Sequence, residues 1–72
     1  MNKSIGQSIK ERRRKLGINQ QTLALLVDVS INTVVAVEKE AYSVSLGTLK
    51  KITDALGLEM QLHVKDTVNK GA

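Results

Sequence analysis

Counting 100° per residue from Val34, a helix across residues 31–40 sets Asn32, Ala36 and Lys39 on the face opposite Val34. Val35 lies at the edge of that face and Ile31 at the helix start. An asparagine carboxamide donates and accepts at once, which matches the N6 and N7 of adenine. Small apolar groups such as Ile31, Val35 and Ala36 suit the thymine methyl, and Lys39 suits a guanine or a phosphate. This set is chemistry for reading base edges in A·T-rich half-sites. The same apolar trio could instead form a protein-binding surface.

Readers of base edges need partners on the phosphates. Residues 1–20 hold six basic side chains, Lys3, Lys10, Arg12, Arg13, Arg14 and Lys15, against Glu11 alone, so all of the net +4 charge is concentrated there. A patch so localised suits a polyanion, although a solvated helix face has the same composition. Candidate phosphate donors are Gln20, at the first turn of a second helix where carboxamide and helix N-terminus could act together, and Asn19, Lys10, Arg12 and Arg14.

Enzymatic readings find no support. His63 stands alone, there is no cysteine, and the five glycines are scattered rather than gathered into a phosphate loop. No cofactor or metal is called for. The absence of cysteine, of a signal segment and of a long apolar run fits a cytoplasmic protein.

The elements that must position these residues follow in order. Ser4-Ile5-Gly6-Gln7 has the spacing of a capping box. It opens a helix over 5–16 whose Ile5, Ile9 and Leu16 share one face, with Gly17 as its stop. Positions 12 to 15 are all basic and cannot all face a core. Asn19 caps a helix over 20–27 carrying a stripe of Leu23, Ala24, Leu26 and Val27. The chain turns at Asp28, and Ser30 caps a helix over 31–40 with Val34 and Val37 inward. Ile31, Thr33, Val34, Val35 and Val37 are β-branched, so local propensity favours a strand here. The cap and the helical spacing of Val34 and Val37 decide for a helix. Ser45 caps a fourth helix with Leu46, Leu49, Ile52, Thr53 and Leu56, ending at Gly57. Tyr42, the sole aromatic residue, lies in the connector before it, either packing on helix edges or offering a hydroxyl to a phosphate.

The next segment is of another kind. Leu58, Met60, Leu62 and Val64 alternate with Glu59, Gln61, His63 and Lys65, the period of a half-buried strand. One strand is no sheet, and its unpaired backbone groups call for a partner. The simplest is the same strand of a second copy, antiparallel across a two-fold axis; packing back on its own helices is the alternative. The division expected is a helix-turn-helix domain over 1–57, a dimerisation strand over 58–65 and a loose tail over 66–72.

The run IGQSIKERRRKLGINQQTLALLVDVS resembles the opening of the phage-repressor and Cro-type (Xre) helix-turn-helix family. Gly17-Ile18-Asn19-Gln20 is similar to that family's entry to helix two. Leu23-Ala24, Val29-Ser30, Thr33, Val34, Val37 and Glu38 match its centre, and Leu46-x-Thr48-Leu49 through Asp54-Ala55-Leu56-Gly57-Leu58 match its closing helix. Two positions depart from it, Asp28 and Glu40, where the family often has glycine. The resemblance covers about residues 5–58. It implies an all-α, four- to five-helix lambda-repressor-like domain that binds double-stranded DNA. It also implies that Gln20 meets a phosphate and that Arg13 pairs with Glu38. The strand that follows is similar to that of HipB-like antitoxins, which implies a homodimer closed by paired strands, autoregulation and a kinase-type HipA toxin as partner. The readings that result are a sequence-specific repressor that is also an antitoxin, a module that sequesters a toxin while binding DNA weakly, and a stand-alone phage-type repressor.

Overall fold

The computed structural model describes residues 3–40 and 44–61, and within them four α-helices in the order α1 (Ile5–Lys15), α2 (Gln20–Val27), α3 (Ile31–Lys39) and α4 (Leu46–Ala55). Each begins at a polar cap, Ser4, Asn19, Ser30 and Ser45, whose side chain accepts the backbone N–H three residues on. At α1 the capping box is complete, since Gln7 Oε1 accepts from the Ser4 amide in return. No single helix among the described residues is long and apolar enough to cross a membrane.

Three helix ends share one device. After α1 the Ile18 N–H reaches the Arg13 carbonyl and the Gly17 N–H that of Arg14. After α2, Val29 and Asp28 bond to Ala24 and Leu25, and after α4, Leu58 and Gly57 bond to Thr53 and Asp54. This is the Schellman closure, which puts a left-handed residue just past the helix and an apolar one after it. Gly17 and Gly57 take φ of 73° and 71° without a Cβ penalty, and Asp28 takes 58° although it carries a Cβ. The residues that follow, Ile18, Val29 and Leu58, all pack on the core.

That core is Ile9, Leu23, Ala24, Val27, Val34, Val37, Leu49, Ile52 and Leu56. Val34 and Val37 are fully buried, which explains why α3 is helical despite its β-branched residues: tertiary burial outweighs a propensity difference of tenths of a kcal/mol per residue.

Four residues read as core are not. Leu16 caps α1 and is exposed, and Ile18, carried inward by the Schellman turn, packs on the core in its stead. Leu26 is 65% exposed, because it stands 60° from Leu23 on the side away from Val27. Ile5 and Leu46 (73% exposed) occupy the first positions of their helices and stay exposed there. They line, with Leu58 and Met60, an apolar groove of about 530 Å³. Residues 58–61 carry no assigned strand. Tyr42, Leu62, His63, Val64 and the tail lie outside the described residues.

Glu40 follows α3 at φ 59°. Its N–H bonds to the Val37 carbonyl, so the left-handed geometry is part of the helix end. Unlike Asp28, glutamate has no short side chain to ease that geometry. Glu40→Gly should stabilise the domain by up to about 1 kcal/mol. A urea midpoint that stays put or falls in that variant would show that the conformation is not strained.

Candidate nucleic-acid interface

The chain bends by 113° between α2 and α3 across Asp28-Val29-Ser30. Two helices at 90–120° on a three- or four-residue turn make the motif that lays its second helix in a DNA groove. Ser30 Oγ accepts the Thr33 amide at 3.2 Å and lies 3.0 Å from Thr33 Oγ1, which fixes the entry to α3. On the outward side Asn32 and Lys39 are exposed, Ile31 is 38% exposed, and Val35 and Ala36 are half-buried. Neither Asn32 nor Lys39 has a side-chain hydrogen bond or ion pair among the described residues, so both are available to a ligand. Val35 and Ala36 can offer only part of their surface.

The basic run of α1 divides. Arg13 is buried and gives Glu38 two bonds, Nε to Oε2 at 2.6 Å and Nη2 to Oε1 at 3.0 Å, while Nη1 donates to the Ile18 carbonyl at 3.0 Å. Arg12 donates through Nε to the Leu56 carbonyl at 2.8 Å, a cation on the C-terminal end of α4. Its reach to a phosphate is limited to the remaining guanidinium N–H groups. Lys10, Arg14 and Lys15 stay exposed, and Lys10 and Arg14, four apart, follow one ridge. Lys3 pairs with Glu11.

At the start of α2, Asn19 accepts the Thr22 amide through Oδ1 at 2.8 Å and the Leu23 amide through its carbonyl at 3.1 Å. The Gln20 and Gln21 amides are the remaining outward donors of that end. The Gln20 carboxamide is half-buried and donates through Nε2 to Glu38 Oε1 at 3.1 Å. Burial pushes the Glu38 carboxyl up, but hydrogen bonds from Arg13 and Gln20 and the charges of Arg13 and Lys10 hold it below its ordinary value. Arg13 is raised by its bond to Glu38, against burial. The pair is therefore ionised and internally neutral. No group of three or more His, Cys, Asp or Glu able to hold a metal occurs among the described residues.

Residues 9–62 match the family described as Helix-turn-helix. The chain belongs to that family. Over 58 residues it is 43% identical to an uncharacterized HTH-type transcriptional regulator of Methanothermobacter thermautotrophicus, spanning 81% of this chain and 80% of that one. It is also 35% identical over 66 residues to an uncharacterized HTH-type transcriptional regulator of Sinorhizobium fredii. There the alignment takes in 92% of this chain but 46% of the relative. In helix-turn-helix terms α2 is the bracing helix and α3 the one that faces outward.

Periodicity missed two participants. Gly6 lies on the inward ridge with Ile9 and Arg13, and α3 passes directly over it: a Cβ there would meet the Glu38 and Val37 carbonyl oxygens at 2.6 and 2.7 Å. A glycine at a core-facing helical position was the available signal. The bond from Gln20 to Glu38 left none, since it joins residues 18 apart through side-chain geometry alone.

Proposed function

We infer that this protein is a sequence-specific DNA-binding transcriptional regulator that occupies an operator as a homodimer. The observation that carries the reading is α3 itself, held at 113° to α2 with Asn32 and Lys39 exposed and free of partners within the described residues. Ile31, Asn32, Val35, Ala36 and Lys39 read bases. Lys10, Arg14, Asn19 and Gln20 contact phosphates, with Arg12 contributing only the N–H groups that α4 does not take. Arg13 and Glu38 hold α1 to α3. The two relatives carry regulator names, which supports the same class.

Dimerisation rests on the alternation from Leu58 to Val64. Leu58 and Met60 are half-buried beside the groove walled by Ile5 and Leu46, and that groove has an open apolar side suited to a second copy. A pair of α3 helices about 34 Å apart would enter successive major grooves. Within this class the C-terminal alternation favours a HipB-like antitoxin that represses its own operon and binds a HipA-type kinase toxin. A second reading, sequestration of a toxin with weak DNA binding, draws on exposed Leu25, Leu26 and Ile31 at the α2–α3 edge.

Fluorescence anisotropy against a duplex from immediately upstream of the gene, beside a scrambled duplex and at two salt concentrations, tests the assignment. With six to ten phosphate contacts per dimer, affinity should fall about 10³- to 10⁵-fold between 50 and 200 mM salt. Equal weak binding to both duplexes would remove base readout and leave sequestration as the account. Asn32→Ala should lower discrimination at one base pair of each half-site by about 1–3 kcal/mol. An unchanged preference across a panel of single-base operator variants would take Asn32 out of the readout.

A further inference from the structure

The Arg13–Glu38 pair explains how α1 is tied to α3, but not why Glu38 Oε1 also takes a bond from Gln20. Two guanidinium bonds already give each carboxylate oxygen a partner, and among the described residues no buried side-chain polar atom lacks one. The third bond comes from a residue on the rim rather than from the core. Gln20 opens α2, directly after the loop whose Ile18 carbonyl Arg13 also holds. One buried ion pair thus fixes both the loop and the first side chain of the helix end assigned to a phosphate.

We propose that Glu38 is a positioning residue for DNA backbone binding, holding the Gln20 carboxamide by one Nε2 hydrogen and leaving the second for a phosphate oxygen. The inference rests on the assignment of Gln20 to the phosphate contact. A glutamine has three rotatable side-chain bonds, and immobilising such a side chain on binding lowers affinity about three- to tenfold. Here part of that freedom is already gone in the free protein. Orientation is set as well. An amide reversed about its terminal bond would put Oε1 against the Glu38 carboxylate, acceptor against acceptor, so Nε2 keeps the inner place. An unpaired carboxylate so near a phosphate would repel it. Arg13 cancels that charge, and what holds Gln20 is a neutral pair.

The test must separate positioning from folding. Arg13→Met/Glu38→Leu replaces a buried pair with apolar residues of similar volume, a change that often leaves stability equal or higher. It has no acceptor for Gln20. Arg13→Met/Glu38→Gln equally lacks the Arg13 bond to Ile18 but restores an acceptor oxygen. With circular dichroism showing both folded, the leucine variant should bind the upstream duplex about three- to tenfold more weakly than the glutamine variant. Adding Gln20→Ala should abolish that difference by weakening the glutamine variant more than the leucine variant. Equal affinities of the two double variants, with Gln20→Ala still harmful in the wild type, would overturn the positioning role and leave the phosphate contact standing. A harmless Gln20→Ala in the wild type would overturn both. Side-chain amide resonances of the unmodified protein give a check that needs no variant: on adding duplex, one Gln20 Nε2 proton should shift while its Glu38-bonded partner stays. Movement of both to free-glutamine positions would show that the bond breaks on binding, which also overturns the proposal.

Discussion

Glu38→Ala should cost about 3–5 kcal/mol of folding stability, because it leaves the Arg13 guanidinium buried without its carboxylate. Arg13 and Glu38 side chains are only 9% and 3% exposed, so water cannot replace the lost partner. A chain of 72 residues has about 4–11 kcal/mol of stability in total. The variant should therefore lose from about a quarter to all of that stability, seen as a large fall of the urea midpoint and, where the total lies at the low end, as loss of helical circular dichroism. A loss below about 1 kcal/mol would mean that the pair is solvated like a surface ion pair. The sign of the pH dependence follows from the same site. The folded carboxyl titrates below its ordinary value, so its contribution is complete above the unfolded value of about 4.3. It is lost as pH falls from there through the folded value. Wild-type stability should decline across that acid range, and Arg13→Met/Glu38→Leu should remove this share of the decline.

Much of the fold was legible because it is encoded locally. Ser4, Ser30 and Ser45 are short polar side chains placed one residue before an apolar one, and Asn19 stands one turn before Leu23; each proves to be a cap. Helix starts are thus read within four residues. Burial at helix ends was less legible, because it depends on where the chain goes afterwards. Leu16 has the period of a core residue, yet a single left-handed residue at Gly17 turns Ile18 inward instead. Leu46 likewise keeps the period of α4 but is left 73% exposed on the wall of the groove. Of the four consecutive basic residues, only distant partners distinguish those taken into the structure, Leu56 for Arg12 and Glu38 for Arg13, from the exposed Arg14 and Lys15. Residue type cannot reveal partners 44 and 25 positions away. The outward face of α3 was placed by angle alone, and angle is silent on how far neighbours cover Val35 and Ala36.

Gly6→Ala and Gly47→Ala make the same substitution at the same helical position, the second residue of α1 and of α4, and should have opposite signs. At Gly47 the new Cβ has only Ser45 Oγ near, at 3.8 Å, and the exposed helix should gain up to about 1 kcal/mol from alanine's better propensity. At Gly6 the Cβ would stand 2.6 Å from the Glu38 carbonyl oxygen, 2.7 Å from that of Val37 and 2.7 Å from Glu40 Cγ. The glutamate side chain can swing away, but the two carbonyls belong to the last turn of α3 and cannot. Either α1 or α3 must retreat, which should cost about 1–3 kcal/mol and outweigh the propensity gain. The retreat has a functional side, because α3 carries Asn32 and Lys39 while α1 carries Lys10 and Arg14. On the proposed assignment, shifting one helix against the other would change the register between base contacts and phosphate contacts. Gly6→Ala should therefore weaken binding to the upstream duplex more than to a scrambled one, even at a temperature where the variant is fully folded. Parallel urea titrations of the two variants decide the packing claim: equal stabilities would mean that the approach of α3 to α1 relaxes without penalty. Equal loss on both duplexes would confine the effect of Gly6 to stability and separate the helix spacing from base recognition.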